Sequence, residues 1–409
     1  MKKWFANSTS KAFILSNILS CPFWGVFDIL PIIICKELNA SPFQITTIIA
    51  LKPLTALFSS YWSSFVFGKQ HRLVNHLVWA YFLKFIPFLF VPFFSSPWMF
   101  ILAFGVHMLL LRGMSPSWME LLKLNVLNAS RGKICAAGST VNYIGNALFP
   151  FLFGWLLDGF QDAWRWILPI TSLLGMGSIW FIRQIPQSLT KSPEKENLRD
   201  HFYKPWKSAG SILKEHPDFL KFQIGFFLGG AGLMTIHAIL PRYFTENLEL
   251  SYTKILFATA FCKGIGFALS SPMWVKLFDR TKIFSFCARI PLIAIAFPIF
   301  LLLAKVNLAF VFIAYVLYGV MQGGSELGWK MSGPAFSQEK DSAPFSSINV
   351  LAVGIRGGVF PYFGACMLFV GGSSLVLILG GVFCLAASLY LWQSGKRYAI
   401  PSSLSYEQS

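Results

Sequence analysis

Two lysines sit where apolar sequence leaves little room for charge. "ALKPLTALFSS" (50–60) carries Lys52, and "FCKGIGFALSS" (261–271) carries Lys263. Each lies about nine residues inside its apolar run, which is about 14 Å along a helix axis. From that depth a lysine stem of about 6 Å does not bring its ammonium comfortably to water. An ionisable group near mid-span is unfavourable by about 2.5–3.5 kcal/mol, so each needs a partner or a wet cavity. The deep set is Asp28, Lys52, Lys84, Arg112, Lys263 and Arg356, five positive to one negative. Convergent ammonium groups suit an anion. The alternative is that each lysine answers a carboxylate (Asp28, Glu120 or Glu326) or the helix carbonyls freed by Pro53 and Gly264.

Other residues extend both readings. Arg356 in "VGIRGGVFPYFG" (353–364) is flanked by glycines that allow close helix approach. Its guanidinium can grip a carboxylate or phosphate with two bonds, as lysine cannot. The position matching Arg356 in the first half is Gly145, beside Asn142 and Asn146, whose amides can donate to or accept from a ligand. Arg112 suits a salt bridge as well as a ligand contact. Asp28, Glu120, Glu326 and His237 are the groups able to carry a coupling proton; Glu120 and Glu326, nearer the cytoplasmic boundary, equally suit a packing role.

The elements that must hold these groups are membrane helices. The chain of 409 residues is 55% hydrophobic and 12% charged, where a soluble surface needs about a quarter charged. Its mean hydropathy is +0.59. Spans are expected at 12–35, 43–67, 76–94, 98–122, 134–157, 165–182, 219–241, 254–276, 285–303, 308–330, 346–369 and 374–393, runs long enough for about 30 Å of hydrocarbon. The first is too long for a removed signal peptide and no small-x-small site follows it. Basic residues crowd the loops on the side of the N-terminus, while the opposite loops carry only Lys36, Arg165, Arg242 and Lys305. By the positive-inside rule both termini are cytoplasmic. The net charge of +17 is therefore topology and not a nucleic-acid footprint.

The longest hydrophilic stretch, 183–218, links two six-span bundles at 1–182 and 219–393, and 394–409 is a cytoplasmic tail. The seven cysteines form no CxxC and no Cys/His cluster, so they read as small buried hydrophobes. The glycine clusters at 228–232 and 263–266 lie inside spans with no preceding strand, which excludes a phosphate loop. No HExxH, GxSxG or Walker lysine occurs, so the chain is not expected to be an enzyme and no cofactor or metal is implied. The expected partners are the lipid bilayer, a small solute and protons, with the chain a monomer.

An internal repeat divides the chain in the same place. "DILPIIICKELNAS" (28–41) aligns with "AILPRYFTENLELS" (238–251), Lys52 with Lys263, Gly113 with Gly319, Glu120 with Glu326, and Phe149-Pro150 with Phe360-Pro361. "WVKLFDRTK" (274–282) keeps the Asp279-Arg280 of a Gly-x-x-x-Asp-Arg-x-Gly-Arg loop. Its first-half counterpart, "FGKQHRL" (67–73), keeps Gly68 and Arg72 but has His71 in place of the acid. "NVLNASRGKICAAGS" (125–139) carries Arg131-Gly132-Lys133 where span 5 opens. With these motifs the chain resembles the major facilitator superfamily.

That resemblance implies an all-α membrane fold of 12 transmembrane helices, arranged as two pseudo-two-fold six-helix bundles rocking about a midplane site. It implies that Asp279, Arg280 and Arg72 latch the cytoplasmic gap and do not touch substrate. It makes span 3 an outer helix, so for Lys84 a structural role is favoured. Paired cations in spans 2 and 8 are similar to the nitrate/nitrite porter branch, which places arginines there. The reading is a secondary active transporter of a small anion, driven by a proton symport or otherwise, in the cell (inner) membrane if the source is bacterial. A proton-coupled multidrug exporter is the alternative, with an aromatic content of 17% in its favour and the sign of the charge against it. A non-transporting membrane receptor is the third reading.

Overall fold

The computed structural model describes residues 7–64, 72–186, 209–337 and 343–396. Gly68 and His71, most of the expected linker and all but the start of the expected tail lie outside the described residues. So do the side chains of Arg131 and Lys133. Among the described residues the chain is helical, with no strand.

The main helices are α1 (Ser8–Phe27), α2 (Leu30–Leu38), α3 (Pro42–Ser64), α4 (Leu73–Leu89), α5 (Pro97–Asn125) and α6 (Asn128–Gly159). They continue as α7 (Ala163–Ile182), α8 (Pro217–His237), α9 (Tyr252–Arg280), α10 (Ile283–Leu303), α11 (Ala309–Ser337) and α12 (Ala343–Lys396). Their starts are dictated locally. Asn7 Oδ1 accepts from the amides of Thr9 and Ser10 at 2.9 and 3.2 Å, satisfying two donors that α1 leaves open. Ser96 caps α5 through the Trp98 amide, and Pro97 takes a first-turn position where its missing N–H costs nothing. Between α1 and α2 the chain bends by 41° at Asp28 and Ile29.

By length and composition, eight helices among the described residues can cross a membrane, or nine if the bent pair α1–α2 is one span. Three places account for the difference from the expected twelve. Two are α3 and α6, which count only through their described side chains, the apolar stretches Pro42–Phe58 and Leu148–Gly159. The third is α12, whose 54 residues are interrupted by non-helical Gly371 and Gly372. Gly372 has φ 69°, a left-handed conformation that favours glycine. The surface agrees with a lipid environment: Leu102, Trp155, Trp166, Leu269, Phe369 and Val370 are all exposed.

By compactness the chain divides into two units. The first comprises Met1–Lys204, His237–Phe261 and Gly357–Cys366; the second comprises Pro205–Ile236, Cys262–Arg356 and Met367–Ser409. Inside the first, α5 packs against both α3 and α4, and α1 against α6 and α7. Its centre is aromatic, with Phe23, Phe27, Phe85, Phe88 and Phe100 fully buried. Inside the second, α11 packs against both α9 and α10. The neighbour pattern around span 4 is thus repeated around span 10, as the internal repeat demands. The α9–α11 crossing is close because it is glycine-lined. A Cβ on Gly266 would run into the Val316 carbonyl, and one on Gly319 into the Lys263 carbonyl.

Candidate functional site

Lys52 has a carboxylate. Its Nζ donates to Asp28 Oδ1 at 2.8 Å, with the two side chains 50% and 51% exposed. Asp28 is the residue that ends α1, so the ion pair ties α3 to the break in the first span. Pro53, one residue on, meets Gly357, where any larger residue would clash; Leu54 touches Gly358. Within the first unit these two glycines therefore let span 11 come close to span 2, as their spacing suggested.

Lys263, the repeat partner of Lys52, is half-buried and belongs to the second unit. It follows a π-helical stretch, Phe257–Cys262, in which the helix is locally widened. The chain therefore places Lys52 and Lys263 in helices that differ locally, although their sequences align.

Arg356 is only 9% exposed. Its Nη1 donates to the Phe226 carbonyl at 2.9 Å, and its guanidinium carbon lies 5.4 Å from the Phe226 ring centroid. Nε is buried with no hydrogen-bond partner. Among the described residues no carboxylate pairs with it. The guanidinium rests on Gly230, and a Cβ there would overlap its atoms, so the "LGGAG" cluster of α8 is the seat of this arginine. Tyr318, from α11, interacts with it electrostatically. Neither Gly230 nor Tyr318 stood out in the sequence as part of a site; the glycine cluster was the available signal.

The remaining candidates are dispersed. Asn142 donates to Asn17 Oδ1 at 2.8 Å and receives the Cys21 thiol at 3.6 Å, so its amide joins α6 to α1. Asn146 and Arg112 are exposed. Glu120 pairs with Lys123 at 3.6 Å and Glu326 with Lys330 at 2.6 Å, each within its own helix. His237 ends α8 and is half-buried. Asp279 and Arg280 are exposed in the last turn of α9, and Arg72 is exposed at the start of α4.

A polar cluster that the sequence did not announce joins the two repeats within the first unit. Asp158, one residue beyond the span expected at 134–157, accepts from the amides of Tyr252 and Thr253, both at 2.8 Å, at the start of α9. Partial burial disfavours its charge, but the hydrogen bonds from Thr253 and Tyr252 outweigh this and hold the carboxyl below the usual carboxylate range. Tyr252, fully buried, donates to Glu37 Oε1 at 2.8 Å, and Lys36 Nζ lies 4.3 Å from the Tyr252 ring centroid. Thr245 and Cys35 meet at 3.4 Å, and Tyr362 donates to Thr47 at 3.2 Å.

Long apolar helices, an exposed greasy surface and charges held deep among them define an integral, multi-pass membrane protein. The chain belongs to the Major Facilitator Superfamily, whose sequence profile it matches over residues 12–333. No curated protein matches it. Among solved structures it is similar to a POT family transporter in complex with 5-aminolevulinic acid. That match has TM-score 0.75 and 11% identity, covering 96% of each chain. It is similar also to the nucleoside transporter NupG (0.72, 12%, covering 95% of this chain and 100% of that one). A bacterial homolog of the human lysosomal transporter Spinster is a third (0.65, 14%, 95% of each).

Proposed function

We propose that the chain is a secondary transporter that moves a small anionic solute by alternating access. Twelve spans form two six-helix bundles, residues 1–182 and 219–393, joined by a cytoplasmic linker and with both termini cytoplasmic. The observation that carries the anionic reading is Arg356, a guanidinium buried to 9% exposure with no carboxylate partner among the described residues. A buried cation without a counter-charge is unfavourable, and a substrate anion would relieve it. Lys52 supports the reading in a different way. Its partner Asp28 is half exposed, so a substrate anion can compete for the ammonium, loosen its hold on the Asp28 carboxylate and favour protonation there. That exchange offers a route to proton symport, with Glu120, Glu326 and His237 as further proton carriers. Lys263, Arg112, Asn142 and Asn146 are secondary candidates for contact with the solute.

Relatives of this fold are named for nucleosides and for peptides, so the fold does not restrict the substrate. The test is uptake of labelled anions into proteoliposomes under an imposed pH gradient, for wild type, Arg356→Gln and Lys52→Gln. Saturable anion uptake that Arg356→Gln abolishes is the expected result. Accumulation of lipophilic cations instead, unaffected by either substitution, would reassign the protein as a multidrug exporter.

A further inference from the structure

Arg356 is not the only deep cation without an acid. Lys84 of α4 is 1% exposed, and among the described residues no carboxylate pairs with it. Its ammonium lies 3.5 Å from the Tyr81 ring centroid, 4.6 Å from that of Phe85 and 4.0 Å from Met114 Sδ. Aromatic faces and a thioether soften the burial of a cation but carry no countercharge.

A second basic group is tied to the Lys84 backbone. His107 of α5, also 1% exposed, has its Nδ1 3.0 Å from the Lys84 carbonyl oxygen. A carbonyl can only accept, so Nδ1 bears the proton and Nε2 bears the lone pair. Nε2 is buried with no partner. Phe23, Phe27, Phe85 and Phe88 enclose the ring at centroid distances of 4.8, 4.5, 5.5 and 5.9 Å, and Trp24 meets it edge-on at 5.6 Å. Two basic groups without a countercharge therefore border the same apolar chamber, with Phe85 against both, and the Nε2 lone pair is open.

We propose that Lys84 and His107 form a buried proton-binding site, distinct from the carboxylates, whose charge bears on the break in the first span. The ligand is a proton and the empty seat is His107 Nε2. The reaction is addition of that proton to the Nε2 lone pair, or its return, and no other bond changes. The link to the break is α1. Trp24 touches the imidazole, and the Asp28 amide donates to the Trp24 carbonyl at 3.4 Å one turn further on. Asp28 in turn holds Lys52. A second positive charge in the chamber would push against the aromatic face of α1 that leads to this pair.

The other ionisable groups around the chamber are accounted for. From α4 come Tyr81, under the ammonium, and His76, whose Nδ1 meets Ser117 Oγ at 2.9 Å. From α5 comes Arg112, which is exposed; from α1, Cys21 and Asp28, engaged with Asn142 and Lys52. From α7 comes Arg165, which binds Asp162 and the Pro92 carbonyl, while Gly175 packs on Phe85.

This inference uses the transport reading only for its second readout. The first is nitrogen NMR of the full chain in nanodiscs with labelled histidine. The chain has six histidines, and His107→Gln identifies the signal that disappears. On stepwise acidification from about pH 8, the expected result is that this ring gains a proton at Nε2 only after an ordinary histidine would, because an apolar chamber beside a basic lysine opposes a second charge. Lys84→Met, which keeps the volume and removes the charge, should change the pH at which this happens. A ring that stays in one form in both proteins, or titrates identically in both, overturns the proposal. In proteoliposomes, His107→Gln should keep substrate exchange at equal pH but lose the response to a pH gradient. An unaltered response also overturns it. If no anion is transported at all, the functional reading fails while the NMR titration still decides this one.

Discussion

Arg356 and Lys52 carry the same formal charge and meet it in different ways. Lys52 has a half-exposed carboxylate at 2.8 Å. Pairs this exposed contribute only about 0.2–1 kcal/mol. Thermal unfolding in detergent should therefore show Lys52→Gln slightly destabilising. The double variant with Asp28→Asn should lie closer to wild type than the two single effects added together, because each single change leaves its partner unpaired. Arg356 has a carbonyl and an aromatic ring but no acid. Its position depends on the missing side chain at Gly230. Gly230→Ala should displace the guanidinium and weaken anion uptake in the same direction as Arg356→Gln, by about tenfold if one charge-assisted hydrogen bond of about 1.5 kcal/mol is lost. Wild-type uptake by Gly230→Ala would show that the arginine's seat does not matter to transport. Reading the sequence for charge located Lys52, Asp28 and Arg356 but not Gly230. It missed His107, because a lone histidine in an apolar helix carries no spacing signal, and only the fold shows that it sits on the Lys84 carbonyl.

At the scale of elements, the start of α9 is informative because its first amides are covered from another helix. Asp158 lies 94 residues away in sequence from the Tyr252 amide it accepts. Replacing it with asparagine removes one of its two acceptor oxygens and should cost about 0.5–1 kcal/mol, the low end of a lost cap, and lower the melting temperature. The pH dependence has a definite sign. The carboxyl is held below its ordinary value in the folded chain, so its stabilisation is complete above about pH 4 and fades as the pH falls through the folded-state value. The melting temperatures of wild type and Asp158→Asn should therefore differ at pH 7 and converge under acid. The spans themselves were legible, since long apolar runs bounded by loops declare themselves. The 41° bend in the first span and the π-helical stretch before Lys263 were not. Both come from how backbone hydrogen bonds rearrange under packing, and no residue type marks them uniquely.

At the scale of the whole molecule, the distribution of basic residues predicts that tags on both termini are reached only from the cytoplasmic side. Protease or label accessibility in sealed vesicles would check this. An externally accessible terminus would contradict the even span count. The internal repeat was visible as a handful of matched residues. The structure gives it a physical counterpart, since span 4 packs against the two spans that precede it, and span 10 does the same. The cross-repeat cluster of Tyr252, Glu37 and Asp158 was hidden, because its members are ordinary loop-end residues that become partners only through distant chain segments.

The two-glycine joint in α12 has a consequence for how the protein is made. Between Arg356 and Lys396 the sequence contains no Asp, Glu, Lys, Arg or His, and the only interruption is Gly371 and Gly372. So short a joint offers no polar loop that could cross the bilayer on its own or remain outside while one helix waits for the next. Two apolar stretches joined this closely should enter the membrane as a single hairpin, and a truncation at the joint should leave the first without its partner for insertion.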